Sequence, residues 1–455
     1  MELKGKKVLV VGLGSTGDAL CRFLLHHGAR VKVSEKKKTE DLGQKISFWE
    51  QEGVTVETGN HEQKSFIKAD LIVPSPGVPW IPELEAAKIH GVKIISEIEL
   101  AYRFLKGKIV GITGTNGKSS TATLTHKILK EGGFPAYLAG NIGTPLISFV
   151  EDSSDEHIYV VEISSFQLKH VEQFRASISV YLNITPDHLD WHPSFDDYYS
   201  AKKKLVISQK ENDISILNRD DPRVWALREK VKSRVYAFSR KGRVSPGCFL
   251  QGDWIVISNS KEEKLIRTSE IPLMGIHNQE NIMASALVGH ILGLSLSRIK
   301  EPIQDFQGLE HRLEKVRTVN GVDFFNDSKA TNVDASFKSI QSFSRKIILI
   351  LGGRDKGGDF RRLREPIKEK VKKVILLGEA KEKIRTALNN SAPMENVSSL
   401  KDAVQAGYSE ATPGEVVLFA PACTSFDMFR NFEERGKAFK HEVSVLEHNL
   451  SKEKT

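Results

Sequence analysis

KIVGITGTNGKSS, residues 108–120, decides how this chain is read. A run of apolar residues ends in a glycine-rich turn, and the turn opens onto a helical pattern that stops at Gly132-Gly133. Strand, turn and helix in that order put the amides of the loop Gly114, Thr115, Asn116, Gly117 and Lys118 at a helix N-terminus. There the amides and the helix dipole favour an anion. The Lys118 ammonium can neutralise phosphate and the Ser119 hydroxyl can hold Mg²⁺. The general phosphate-loop pattern has a glycine five places before Gly117, where this chain has Ile112. The Lys-Ser pair in its strand–helix setting nevertheless predicts nucleotide binding.

Working outward, two further origins of the same kind appear. KKVLVVG (6–12) reads as a strand, 16–27 as a helix stopped by Gly28, and VKVSE (31–35) and ADLIVPSPG (69–77) as further strands. HIYVVEIS (157–164), ISVYLNIT (178–185) and NDISILN (212–218) continue the central part. KIILILGG (346–353) starts a third series with KVILLGE (373–379) and EVVLFAPA (415–422). Short apolar runs alternating with helical patterns predict α/β domains with largely parallel sheets. The expected organisation is a Rossmann-like N-terminal domain over 1–104, a phosphate-loop ATPase domain over 105–308 and a Rossmann-like C-terminal domain over 309–455. Residues 449–455 are polar and are expected to be disordered.

The chain has 455 residues, 40% hydrophobic and 27% charged, which suits a globular protein of about three domains. No apolar stretch is long enough for a membrane span, and the N-terminus lacks a signal-peptide pattern. The three cysteines are too few and too scattered for a disulfide framework or a zinc site, so a cytoplasmic location is expected. The net charge of +8 comes from dispersed lysines with no nucleic-acid-binding signature, and anionic small substrates account for it as well.

Other motifs admit more than one reading. Gly12, Gly14 and Gly17 spell G-x-G-x-x-G after a strand, with Glu35 ending the next strand, which is the pattern of a dinucleotide site. Any diphosphate satisfies the same turn, and so does a turn with no ligand. SPGVP (75–79) is a second turn near it or a simple loop. Glu162 leaves a strand beside the phosphate loop, a natural Mg²⁺ partner or an exposed strand end. His188 in NITPDHLDWH reads more readily as a structural histidine and Lys202 in YYSAKKKL as part of a solvated helix, while Asn278 and Asn281 in HNQEN read equally as an adenine-edge pair or as capping residues. Arg312 in GLEHRL, the cluster Asp327, Lys329 and Thr331 in FNDSKATN, Lys356 in LGGRDKGG and Ser425 in PACTSFDMF lie after strands, where α/β sheets bind ligands. Ser425 is also expected to cap the next helix.

Together these motifs resemble the Mur ligase family over the whole chain except the tail. GTNGKS, VEISSFQL, NITPDHLD, HNQEN, EHR and NDSKATN stand in the family's order and approximate spacing. GLGSTG, AGNIGTP, VEISSFQL, DSKATN and APACTSFDMFRNFEERG are similar to the member that adds D-glutamate to UDP-N-acetylmuramoyl-L-alanine in peptidoglycan synthesis, a step tied to cell shape and division. The resemblance implies ATP and Mg²⁺, with two ions, and an acyl-phosphate intermediate. It implies that Ser15, Thr16, Lys36, Ser75, Gly77, Asn141 and His188 hold the UDP-sugar. Lys118, Ser119 and Ser120 would hold ATP phosphates and Mg²⁺, with Glu162 and His188 completing the metal shells. Asn278, Asn281, Arg312 and Asp327 would position ATP, and Lys329, Thr331, Lys356, Ser425 and Phe432 would bind D-glutamate. Lys202 falls where such ligases carry a carbamylated lysine, an oxygen ligand for a second Mg²⁺. A monomer is expected. Competing readings are another carboxylate–amine ligase, an NAD-dependent oxidoreductase built on Gly12, Gly14 and Gly17, and a non-catalytic nucleotide sensor.

Overall fold

The computed structural model describes residues 1–189, 191–273 and 275–452. Among these residues the strands form three sheets of five, nine and six strands. The first comprises β1 (Lys7–Val11), β2 (Arg30–Glu35), β3 (Thr55–Thr58), β4 (Leu71–Pro74) and β5 (Lys93–Ile94), in the order β3-β2-β1-β4-β5. All its pairings are parallel. Val8, Val10 and Val33 point into a core closed by the helix Ser15–His26, whose Leu20 and Leu24 are fully buried. That helix packs tightly on the first turn because position 17 is glycine. A Cβ there would lie 2.2 Å from the Gly12 carbonyl oxygen.

The second sheet contains β6 (Lys108–Thr113), β7 (Ala136–Gly140), β8 (Ile158–Glu162), β9 (Ile178–Tyr181), β10 (Ile214–Asn218), β11 (Arg234–Ser239), β12 (Gly247–Gln251), β13 (Trp254–Ser258) and β14 (Glu262–Arg267). Its order is β14-β13-β12-β11-β10-β9-β6-β8-β7. β6 is central and buried from Ile109 to Thr113, paired on one side with β8 and on the other with β9. Gly111 in its middle lets the helix Phe195–Ile207 lie close, since a Cβ at 111 would be 2.8 Å from Leu205 Cδ1.

The sheets are largely parallel, as expected, and the second carries an antiparallel extension at one end. β12, β13 and β14 run antiparallel, because Gln251 and Trp254 pair across the two residues Gly252-Asp253. Gly252 has φ +61°, the conformation a two-residue hairpin loop requires and no crossover helix would.

The third sheet holds β15 (Glu314–Val319), β16 (Val322–Asn326), β17 (Ile347–Gly352), β18 (Val371–Leu377), β19 (Met394–Asn396) and β20 (Val416–Phe419), in the order β15-β16-β20-β17-β18-β19. β15 is its antiparallel edge and the other pairings are parallel. The long helix Phe432–Lys452 covers one face, with Phe439 stacked on Phe419 at 4.9 Å. The expected disorder of 449–455 is corrected over 449–452, which are helical. Leu446 and Leu450, four apart, both pack on the core and anchor the last turn. Residues 453–455 lie outside the described residues.

The chain divides into two compact units: Met1–Ile184, Trp191–Thr268 and Glu280–Ile303 form one, and Thr185–Asp190, Ser269–Gln279 and Gln304–Thr455 the other. The first two sheets share the first unit. No helix among the described residues is long and apolar enough to cross a membrane. Cys21, Cys248 and Cys423 are buried free thiols.

Gln209, just beyond the helix Phe195–Ile207, braces the β9–β10–β11 seam. Its Oε1 accepts the Ser179, Ser215 and Ser233 hydroxyls, and its Nε2 donates to the Ala176 and Ile214 carbonyls. Gln209→Leu keeps the volume but strands these groups. It should destabilise the protein by roughly 2–3 kcal/mol, read as a lower urea midpoint at unchanged slope; an unchanged midpoint would show that the hub is dispensable.

Candidate active site

In the first unit a cleft of about 860 Å³ opens at the carboxyl ends of β1, β2, β4 and β7. Ser15, Thr16, Lys36, Ser75, Gly77 and Asn141 all line it. These are six of the seven residues expected to hold a UDP-sugar; the seventh, His188, belongs to the second unit. Asn60 and His61 also line the cleft and were not singled out from sequence. Gly59, at φ +86° just before them, was the available turn signal.

Glu35 does not sit as a free acid at the cleft wall. Its carboxylate accepts the Leu13 amide at 2.6 Å and the Lys37 amide at 3.0 Å. One of the glycine turn's own donors is thus engaged by a protein carboxylate, which disfavours a diphosphate at that amide and weakens the dinucleotide reading.

The phosphate loop follows β6. Gly114 has φ +153° and Gly117 φ +88°, and a Cβ on Gly117 would fall 2.3 Å from Asn281 Oδ1. Asn281, 4% exposed, therefore rests against the loop, which neither its helix pattern nor its spacing from Asn278 could have shown. The Asn183 side chain clasps the same loop, accepting the Asn116 amide at 2.9 Å and donating to its carbonyl at 3.0 Å. Ser119 and Ser120 are buried in the first turn of the helix Lys118–Glu131.

Lys202 lies in the helix Phe195–Ile207 and is 1% exposed. The solvated-helix reading of YYSAKKKL is corrected at this position: Gly111 admits the helix to the sheet, so the face that carries Lys202 is an inner one. Its ammonium donates to the Gly114 carbonyl at 2.9 Å and the Thr113 hydroxyl at 3.3 Å, and sits 5.1 Å from the Tyr198 ring centre. Lys118 also donates to the Gly114 carbonyl, at 2.9 Å. Two ammonium groups therefore converge on one oxygen. Two such charges within about 6 Å repel by roughly 3 kcal/mol at an effective dielectric near 20, before screening. An anion in the loop, or loss of charge on Lys202, relieves that repulsion.

Glu162, 2% exposed, ends β8 beside β6. It accepts the Asn141 side-chain amide at 2.8 Å, and the Asn141 backbone amide donates to the Glu162 carbonyl at 2.9 Å. The cleft wall and the strand-end carboxylate are thereby joined. One carboxylate and the Ser119 hydroxyl suit Mg²⁺, which takes few protein oxygens and keeps water or phosphate ligands. Among the described residues no group of three His, Cys, Asp or Glu suits a metal held wholly by protein.

The second unit gathers the remaining candidates. His188 has φ 54° and its amide donates to Asp187 Oδ1 at 2.8 Å; Asp187 Oδ2 accepts the Asn332 side chain at 2.9 Å. The 187–188 turn is thus tied to the DSKATN segment. Asp327 opens the turn after β16, and burial pushes its carboxyl up to about 6, against the pull of the Ser339 hydroxyl and Arg312. Lys329 sits 3.7 Å from the centre of the Phe432 ring, so two residues 103 positions apart in sequence form a cation–π pair. Thr331 follows, and Lys356 lies half-buried in the loop after β17. Asn278 is buried in the first turn of the helix Ile276–Ile291.

Ser425 is 2% exposed and does not cap a helix. Residues 425–429 form a turn in which its carbonyl accepts the Met428 and Phe429 amides, and Asn431 instead accepts the Glu434 amide at the start of the next helix. Arg435, buried beneath these turns, escaped the sequence reading. It donates to Ser328 and to the Cys423 carbonyl, and a charged residue inside a helix gives no signal that it faces inward.

Comparison with known proteins agrees with this geometry. Residues 6–96 match the Mur ligase MurD-like N-terminal domain, 112–289 the Mur ligase middle domain and 311–423 the Mur ligase glutamate ligase domain. The UDP-N-acetylmuramoylalanine--D-glutamate ligase of Acidobacterium capsulatum is 46% identical, over 97% of this chain and 96% of its own. The protein of the same name from Koribacter versatilis is 44% identical over 98% and 99%. Among solved structures, the UDP-N-acetylmuramate-alanine ligase MurC of Thermotoga maritima has a TM-score of 0.62 at 18% identity, covering 97% of this chain and 99% of its own. The MurF ligase of the same organism has a TM-score of 0.61 at 16% identity, covering 98% and 96%. These likenesses extend from the phosphate loop through all three sheets, and the chain belongs to the Mur ligase family.

Proposed function

We infer that this chain joins D-glutamate to UDP-N-acetylmuramoyl-L-alanine, with cleavage of ATP to ADP and phosphate, in the synthesis of peptidoglycan precursors. The carrying observation is the near-full-length identity of 44–46% to relatives named for that reaction. The segments 1–104, 105–308 and 309–455 serve the UDP-sugar, ATP and the amino acid in turn. The enzyme works as a cytoplasmic monomer and thereby supports cell shape and division.

The substrate carboxylate is a poor electrophile, and phosphoryl transfer from ATP turns it into an acyl phosphate with a good leaving group. That step brings anions together, which the loop amides and Lys118 offset. Gly114 to Ser120, with Asn278, Asn281, Arg312 and Asp327, hold ATP. Ser119, Glu162, His188 and a carbamylated Lys202 would hold Mg²⁺, as two ions, which would supply positive charge against the phosphate oxygens. Carbamylation joins CO₂ to the neutral Lys202 amine with loss of one proton, so the second cation at Gly114 becomes an oxygen anion. The lining residues Ser15, Thr16, Lys36, Ser75, Gly77 and Asn141, with His188, hold the UDP-sugar. Lys329, Thr331, Lys356, Ser425 and Phe432 bind D-glutamate, whose two carboxylates suit the two lysines. Its amine attacks the acyl phosphate and the tetrahedral intermediate expels phosphate.

Two experiments test this. With UDP-N-acetylmuramoyl-L-alanine and ATP, phosphate release is expected with D-glutamate and not with L-glutamate, L-alanine, L-lysine or meso-diaminopimelate. The product should be heavier by one glutamyl residue; release with another amino acid moves the enzyme within its family. Lys202→Ala should lose activity by more than about 10²-fold, with partial recovery in short carboxylic acids. Full activity of that variant without additive would remove the carbamate from the mechanism.

A further inference from the structure

The segment Ser96–Tyr102 leaves the first sheet and joins the second. Ile95 still belongs to the first: its amide donates to the Ile72 carbonyl of β4 at 3.1 Å. The next residue, Ser96, donates its amide to the His170 carbonyl beyond β8 at 3.0 Å. The helix Glu97–Tyr102 then sends two carboxylates into the interior, at 1% and 0% exposure for Glu97 and Glu99. Buried carboxylates are expensive unless every oxygen is engaged, and both are engaged by central backbone. Glu99 accepts the successive amides of Glu172, Gln173 and Phe174 at 2.8–3.2 Å and is capped by Arg103 at 2.6 Å. Glu97 accepts the Ile147 amide at 2.7 Å, with the Leu146 amide beside it.

The two amides that Glu97 holds close the loop that begins at Gly140. Asn141, Ile142, Gly143 and Pro145 of that loop form one wall of the cleft. At its near end Asn141 is bonded to Glu162; at its far end Thr144 bridges back to Ala139 and accepts the Gly140 amide at 3.0 Å, and the chain then turns into the short helix Leu146–Phe149, whose first amides point at Glu97. We propose that Glu97 is a positioning residue for the UDP-sugar: from outside the cleft it holds the 141–145 wall in register with the glycine turn opposite. This rests on the cleft being the UDP-sugar site. Burial pushes the Glu97 carboxyl up to about 7, and a glutamine at 97 keeps an oxygen able to accept the Ile147 amide.

The test compares Glu97→Gln, which keeps an acceptor oxygen, with Glu97→Met, which fills the same space without one. Glu97→Met should raise KM for UDP-N-acetylmuramoyl-L-alanine by about tenfold while KM for ATP and for D-glutamate stays within about twofold; Glu97→Gln should stay within about twofold on all three. Hydrogen exchange of the Leu146 and Ile147 amides should be at least about tenfold faster in Glu97→Met than in the wild type, with β6 unchanged. Glu97→Asp, one methylene short, stands in for Glu97→Met if that protein does not fold, with the same expectation. Equal KM values in all proteins, a parallel rise for all three substrates, or a glutamine variant as impaired as the methionine one would overturn the proposal. A wild type inert toward the UDP-sugar would sink the assigned reaction instead, and the exchange rates would then decide alone whether Glu97 holds the loop.

Discussion

Two lysine ammonium groups meet on one carbonyl, that of Gly114, and the central part of the molecule is arranged to bring this about. β6 must lie between β8 and β9 so that its turn emerges at the sheet's carboxyl edge. Gly111 must lack a side chain so that the helix Phe195–Ile207 comes near enough for Lys202 to reach the turn. Lys118 arrives from the helix that the turn itself starts. The result is a concentration of positive charge, buried at Lys202 and half-buried at Lys118, whose repulsion falls when a polyanion binds or when Lys202 gives up its cation.

The other two sheets place their chemistry at the same kind of edge. The glycine turn after β1, the turn after β4 and the loop after β7 surround one cleft, and Glu162 at the end of β8 ties that cleft to the strand beside β6 through Asn141. In the second unit the turns after β16 and β20 are drawn together from beneath by Arg435 and from the side by the contact of Lys329 with Phe432. Each sheet thus presents anion-binding groups on loops supported by buried strands, where loop sequence can vary without loss of the scaffold.

Much of this was legible in the residues. Strand–turn–helix order located β1, β6 and β17, and the glycine turn before Lys118 and Ser119 does open the helix Lys118–Glu131. What stayed hidden depended on long-range placement. Lys202 sits in a run of three lysines that looks solvated, and only Gly111, some ninety residues earlier, explains why it is buried. The antiparallel β12–β14 extension follows from two residues, Gly252 and Asp253, within a polar stretch. Ser425 was expected to cap a helix, but the chain makes a further turn first and Asn431 takes that role. Glu97, Glu99 and Arg435 carry charge into the interior, which no periodicity announces, because their partners are backbone groups far away in sequence.

The central claim is that the UDP-sugar carboxylate is activated by phosphoryl transfer before the amine attacks. It is tested most directly by labelling that carboxylate with ¹⁸O and analysing the phosphate released during turnover with ATP and D-glutamate. One labelled oxygen per phosphate is the result expected of an acyl phosphate expelled by the amine. Phosphate free of label, with the amide formed at a normal rate, would contradict the account and require a route in which the carboxylate oxygen never bonds to phosphorus.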